Sequence, residues 1–91
     1  DLLALNEQVA VAVECKSHLS LDDVNDHLAR LAAFKDCFPQ YRAYQLLGAV
    51  AGMVVPDHVG RFAYRKGLFV LAQSGQAIEI RNDARFQPKT W

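Results

Sequence analysis

Val9-Ala10-Val11-Ala12-Val13-Glu14-Cys15-Lys16 is the stretch on which the fold turns. Eight residues with a period of two and three valines on one side read as a β-strand. Val9, Val11, Val13 and Cys15 share one face, and Ala10, Ala12, Glu14 and Lys16 the other. Both faces are apolar until Glu14, so the strand is expected to be covered on both sides. The segment Asp1–Asn6 (DLLALN) reads as a second strand, and Glu7-Gln8 as the turn of a β-hairpin.

Downstream, Ser20 is a good N-cap, with Asp22 and Asp23 in the first turn, where the helix dipole favours acids. The helix is predicted to run to about Cys37, with Leu21, Val24, Leu28, Leu31 and Phe34 as its apolar stripe. Asp26 and Arg30 form an i, i+4 pair on its wet side, and Pro39 ends it. Tyr44–Val55 reads as a central strand despite Gly48 and Gly52. Pro56-Asp57 opens a short helix to about Lys66 with Val59, Phe62 and Ala63 inward, and Gly67 suits its C-terminal cap. Leu68–Gln73 and Ala77–Arg81 are strands joined by a turn at Ser74-Gly75-Gln76. The tail from Asn82 has no period, and Phe86 and Trp91 are expected to pack it down or to fill a subunit interface.

The order is β-β-α-β-α-β-β, an α/β domain with a mixed central sheet flanked by helices. The Val9 and Tyr44 strands should form a parallel pair through a right-handed crossover. All 91 residues form one domain. The chain opens on Asp rather than Met and enters a strand without a cap, so we read it as the C-terminal part of a longer domain. Apolar surface left by a missing N-terminal portion would favour association between copies.

Composition limits function. Apolar residues make up 52% of the chain, which excludes a disordered tail. Ten acids balance ten bases, so there is no global positive field to attract phosphates. Cys15 and Cys37 have neither zinc nor disulfide spacing, and two reduced, buried thiols point to the cytoplasm. No run is long enough to span a bilayer.

Glu14 and Lys16 lie two apart on a strand and project to one face. A carboxylate there can hold a hard divalent cation, and the ammonium can hold a water or stabilise phosphorane charge. If Glu7-Gln8 is a two-residue loop, Asn6 faces Val9 and Asp1 faces Glu14, with Cβ atoms about 5 Å apart. A four-residue loop keeps the face and makes the contact diagonal; a three-residue loop flips it. Taken alone, an E-x-K triplet is an ordinary strand end. The apolar strand, the acid at matching register and the following helix set this one apart. Arg61, Arg65 and Lys66 around Tyr64 form a basic patch that could touch a phosphate backbone or simply be a solvated helix face. His18 sits near the site's mouth, Gln73 at a strand end, and His27 and His58 have no partner at metal-ligand spacing.

Asp1 followed by Val13-Glu14-Cys15-Lys16 resembles motifs II and III of the PD-(D/E)XK superfamily of restriction-endonuclease-like and Holliday-resolvase-like proteins. More narrowly, VAVECKS, DDVNDHLARLAAFK, GAVAGMVV and FAYRKGLFVLAQSG resemble uncharacterised bacterial proteins that join a coiled-coil-like region to such a nuclease-like core. The resemblance covers nearly the whole chain. It implies a restriction-endonuclease-like core and Mg²⁺ or Mn²⁺ held by Asp1, Glu14 and the backbone carbonyl of Cys15. It also implies Lys16 as catalytic lysine and DNA, in preference to RNA, as substrate. The superfamily's motif I acid, on an earlier helix, has no counterpart before Asp1. The competing readings are an inactive nuclease-like binding module and a plain assembly domain with a surface ion pair.

Overall fold

The computed structural model describes residues 2–91; Asp1 lies outside the described residues. Five strands form one mixed sheet in sequential order: β1 (Leu2–Leu5), β2 (Val9–His18), β3 (Gln45–Val54), β4 (Phe69–Ser74) and β5 (Ala77–Ile80). The outer pairs, β1/β2 and β4/β5, are antiparallel, and β2/β3 and β3/β4 are parallel. Helix α1 (Leu21–Cys37) carries the chain from β2 to β3, and α2 (Asp57–Arg65) from β3 to β4.

The β1/β2 hairpin closes as a two-residue loop requires. Asn6 N–H donates to the Val9 carbonyl at 3.0 Å, and Leu5 pairs with Ala10 and Leu2 with Val13. The Asn6 side chain stabilises the turn by accepting from the Gln8 and Val9 amides at 2.8 and 2.7 Å. An Asx turn thus does the work that Asn-Gly would do in a favoured hairpin.

The start of α1 is a reciprocal capping box. Ser20 Oγ accepts from the Asp23 N–H at 3.1 Å, and Asp23 Oδ2 accepts from the Ser20 N–H at 3.0 Å. Such caps contribute about 1 kcal/mol. The helix ends where the Phe38 N–H reaches Phe34, and Pro39 then opens a single 3₁₀ turn.

Both helices pack on one face of the sheet. Ala10, Ala12, Leu46, Val50, Val70 and Ala72 meet Val24 and Leu31 of α1 and Val59 and Ala63 of α2. Small residues on β2 and β3 let α1 approach. A Cβ at Gly48 would lie 2.5 Å from Leu31 and 2.7 Å from Leu68. The opposite face, with Val9, Val11, Val13, Leu47 and Leu71, carries no helix among the described residues. Coverage of β2 on both sides is therefore corrected to one side. Met53, Ile78 and Ile80 are more than half exposed.

Three further expectations change. Cys15 and Cys37 are both exposed, because Cys15 falls on the uncovered face and Cys37 at the end of α1. Leu21 is exposed, and His27 takes a place on the buried stripe of α1. β2 runs two residues past Lys16, since β3 continues to pair with it through His18 and Val54.

The irregular tail is fastened to the sheet. Asn82 accepts from the Val70 N–H at 2.7 Å and donates to the Leu68 carbonyl at 3.1 Å. Phe86 packs against Tyr64 and Phe69. Lys89 N–H reaches Gly67, and Trp91 N–H reaches Leu46 at 2.9 Å, where β4 does not extend far enough to pair with β3. The Trp91 ring packs against the core. Among the described residues no helix is long and apolar enough to cross a membrane.

Gly67 and Gly75 both have positive φ, at 86° and 62°. A Cβ at Gly67 would also sit 2.8 Å from the Lys89 backbone nitrogen, whereas Gly75 faces open space. Urea titration should therefore give a loss of about 1 kcal/mol for Gly75→Ala and about 2–3 kcal/mol for Gly67→Ala. Equal losses would mean that the tail yields freely.

Candidate functional site

The parallel pairing of β2 and β3 sets which β2 side chains face the helices. Glu14 stands opposite Val50, a core residue, so its carboxylate is carried under α1. It is only 3% exposed. A buried carboxylate needs a charged donor. Arg30, from the third turn of α1, supplies it: Nη1 donates to Glu14 Oε1 at 2.9 Å. Arg30 is itself 54% exposed, so the pair bridges the core and solvent. The sequence expectation gave Arg30 to Asp26 on the wet side of the helix; its reach toward the sheet went unread.

Two more groups on the same stripe of α1 reach β2. His27 Nε2 lies 3.0 Å from the Ala12 carbonyl, so this nitrogen carries the proton and donates. Burial pushes the His27 pKa below its usual 6.5, the Arg30 charge adds to that, and the carbonyl bond opposes it. Lys16, beyond the covered part of the strand, lies 3.9 Å from Asp23 Oδ1. The Asp23 carboxyl is held below its usual value chiefly by the Ser20 N–H it accepts from. Glu14 and Lys16 thus share one face, with Glu14 deep and Lys16 at the rim.

Beside Arg30 and His27 lies an apolar groove of about 530 Å³ between β1 and α1, with Leu3, Phe34 and Phe38 on its walls. Leu3 is exposed there because α1 leaves β1 bare. His18 and His58 line a smaller cleft of about 270 Å³ at the Lys16 end of β2.

The donor set fits a divalent cation only in part. Glu14 is a hard oxygen ligand on the correct face, yet Arg30 holds one of its oxygens. Among the described residues, no three His, Cys, Asp or Glu side chains converge on a common point. Cys15 stands opposite Ala51 and is exposed, so its thiol lies away from Glu14. The Asp1 expectation lies outside the described residues, although the hairpin register it relied on is the observed one.

The basic patch is rearranged. Lys66 turns over the Phe62 ring, 5.5 Å from its centre. Arg61 and Arg65 instead line a groove of about 530 Å³ with Arg81 and Arg85. Sequence reading missed Arg85 because the tail has no period, and Arg81 because a strand end alone does not show that it lies beside α2. Gln73 is exposed and its amide donates to the Gly75 carbonyl, so it serves the β4/β5 turn. In comparison with known proteins, no family model, no curated protein and no solved structure matches the chain.

Two stability measurements follow from this geometry. Arg30→Ala leaves a buried carboxylate without its charged donor and should cost roughly 1–3 kcal/mol, water at the exposed side limiting the loss. Adding Glu14→Gln should recover part of it; no recovery would mean that Arg30 acts by packing. Because the folded pKa of His27 is lowered, the unfolded chain binds more protons below about pH 6.5, so its contribution is present above that pH and falls with acidification. His27→Gln should flatten the decline of the urea midpoint between about pH 6.5 and pH 5.

Proposed function

We propose that the chain is a restriction-endonuclease-like core that hydrolyses phosphodiester bonds in DNA with Mg²⁺ or Mn²⁺. In this reading Glu14 and Asp1 ligate the cation and the Cys15 carbonyl adds a third oxygen. Lys16 orients the attacking water or offsets charge on the phosphorane. The cation would supply Lewis-acid polarisation of the phosphoryl oxygen. The observation that carries the proposal is the buried Glu14 carboxylate beside the rim-exposed Lys16, on one face of a strand that leads into α1. Burial strengthens what a carboxylate can do to a cation, and exposure lets the ammonium, only loosely paired with Asp23, meet a large substrate.

A second reading has its own observation. Arg30 already neutralises Glu14 at 2.9 Å, as it would in a nuclease-like module that keeps the fold and only binds or assembles. For a metal to enter, Arg30 must release that oxygen, and its exposed side chain gives it room to do so.

Titration calorimetry with Mn²⁺ distinguishes the two. Binding that Glu14→Gln weakens at least tenfold is expected of the nuclease reading; heat unchanged in Glu14→Gln sinks it. Plasmid nicking should then drop by a factor of at least 100 in Lys16→Ala, the scale on which electrostatic groups act in catalysis. Metal binding without nicking in either protein would favour the inactive module.

A further inference from the structure

Charge is balanced over the whole chain but unevenly distributed along it. Residues 1–36 hold seven acids and three bases, and residues 37–91 hold three acids and seven bases. The fold concentrates the basic excess further. Four of the six arginines line the groove beside α2: Arg61 and Arg65 from the helix, Arg81 and Arg85 from the chain that follows β5.

Two carboxylates, Asp57 and Asp83, share that groove. Asp83 is occupied, since it accepts from the Tyr64 hydroxyl and from the Arg85 backbone N–H. Arg81 is partly satisfied by Glu79 at 3.7 Å and by the Val55 carbonyl at 3.3 Å. Among the described residues, Arg61, Arg65 and Arg85 have no carboxylate within 4.0 Å. Guanidiniums gathered without internal partners repel one another, and nothing in the packing requires them there. The chain around them is nevertheless held firmly. Asn82 ties the segment between Arg81 and Asp83 to β4 through two hydrogen bonds, and Phe86 packs on Tyr64 and Phe69. A fixed frame therefore presents these charges to solvent.

We infer that the groove between α2 and the segment after β5 binds the phosphate backbone of DNA. Planar guanidiniums suit phosphate oxygens because each can offer two parallel N–H donors. Arg61 and Arg65 are one helical turn apart, so they can take one phosphate or two neighbours along a strand. An open groove with at least three unpaired guanidiniums suits a repeating polyanion better than a small buried ligand. The choice of DNA among polyanions rests on the nuclease reading above, but binding here does not require turnover at Glu14 and Lys16.

The test is fluorescence anisotropy with labelled single-stranded and duplex DNA oligonucleotides in EDTA, which removes any cation from the Glu14 site. The Arg61→Gln, Arg65→Gln double variant should lose at least tenfold in affinity and reduce the salt slope by about two. Arg85→Gln should lose severalfold, and Arg42→Gln, at an exposed arginine outside the groove, should bind as the parent does. These arginines are exposed, so circular dichroism melts should be unchanged; if the double variant unfolds, Arg85→Gln carries the test alone. Absence of binding by the parent protein, or equal binding by the arginine variants, overturns the inference. So does inorganic phosphate that competes at matched phosphate concentration, or an RNA of the same sequence that binds more tightly. None of these outcomes alters the Mn²⁺ titration, so the groove and the Glu14 site can fail separately.

Discussion

Each crossover in this fold steps one strand in the same direction, from β2 to β3 and from β3 to β4. Parallel crossovers have one favoured hand, so two steps in one direction place both helices on the same side. The distribution of side chains follows from that. The face toward α1 and α2 holds the buried core and the Glu14–Arg30 pair. Among the described residues, the opposite face keeps its alternating valines without a helix above them. A sheet whose order reversed would be covered twice and would open a crevice at the reversal. Among the described residues there is no such crevice, and the polar features lie along the helix flanks instead.

On the covered face, size decides depth. Alanines and Gly48 on β2 and β3 bring α1 close enough for His27 to reach the backbone of Ala12. The same closeness encloses Glu14, which would be an ordinary exposed strand residue beneath a more distant helix. The burial of Glu14 is then what requires Arg30. The polar pairs at this layer differ in kind. His27 and Ala12 make a neutral bond inside the core, Glu14 and Arg30 a charged bond at its edge, and Lys16 and Asp23 a loose pair in solvent. Charge is admitted in step with access to water.

Much of the fold was legible in the sequence because local signals agreed. Ser20 and Asp23 announced α1, Gly67 marked the end of α2, and the period of two in residues 9–16 gave β2 and its two faces. The two-residue hairpin loop was legible as one register among three, and the Asn6 side chain is what selects it. Coverage was not legible, because apolar residues on both faces of β2 read alike whether or not a helix lies above them. This is why Cys15 was taken for buried. At the site, spacing placed Glu14 and Lys16 on one face, but Arg30 required knowing that α1 lies directly over Glu14. Arg81 and Arg85 were illegible for a different reason. The β4/β5 pairing carries Arg81 there and the Asn82 side chain fastens the segment that holds Arg85, and such links leave no period in a sequence.

The contact between Trp91 and Leu46 spans forty-five residues and joins the tail to an early part of the central strand. Strand β3 therefore has its full set of partners only after everything from α2 to the tail is in place. Until the Trp91 segment docks, the Leu46 carbonyl and the surface around Gly48 stay wet. Closure of so long a loop is slow compared with formation of the β1/β2 hairpin, whose ends meet across a turn. The relative order of the two is thus set: the hairpin can form early and by itself, and the seam under Trp91 closes after it.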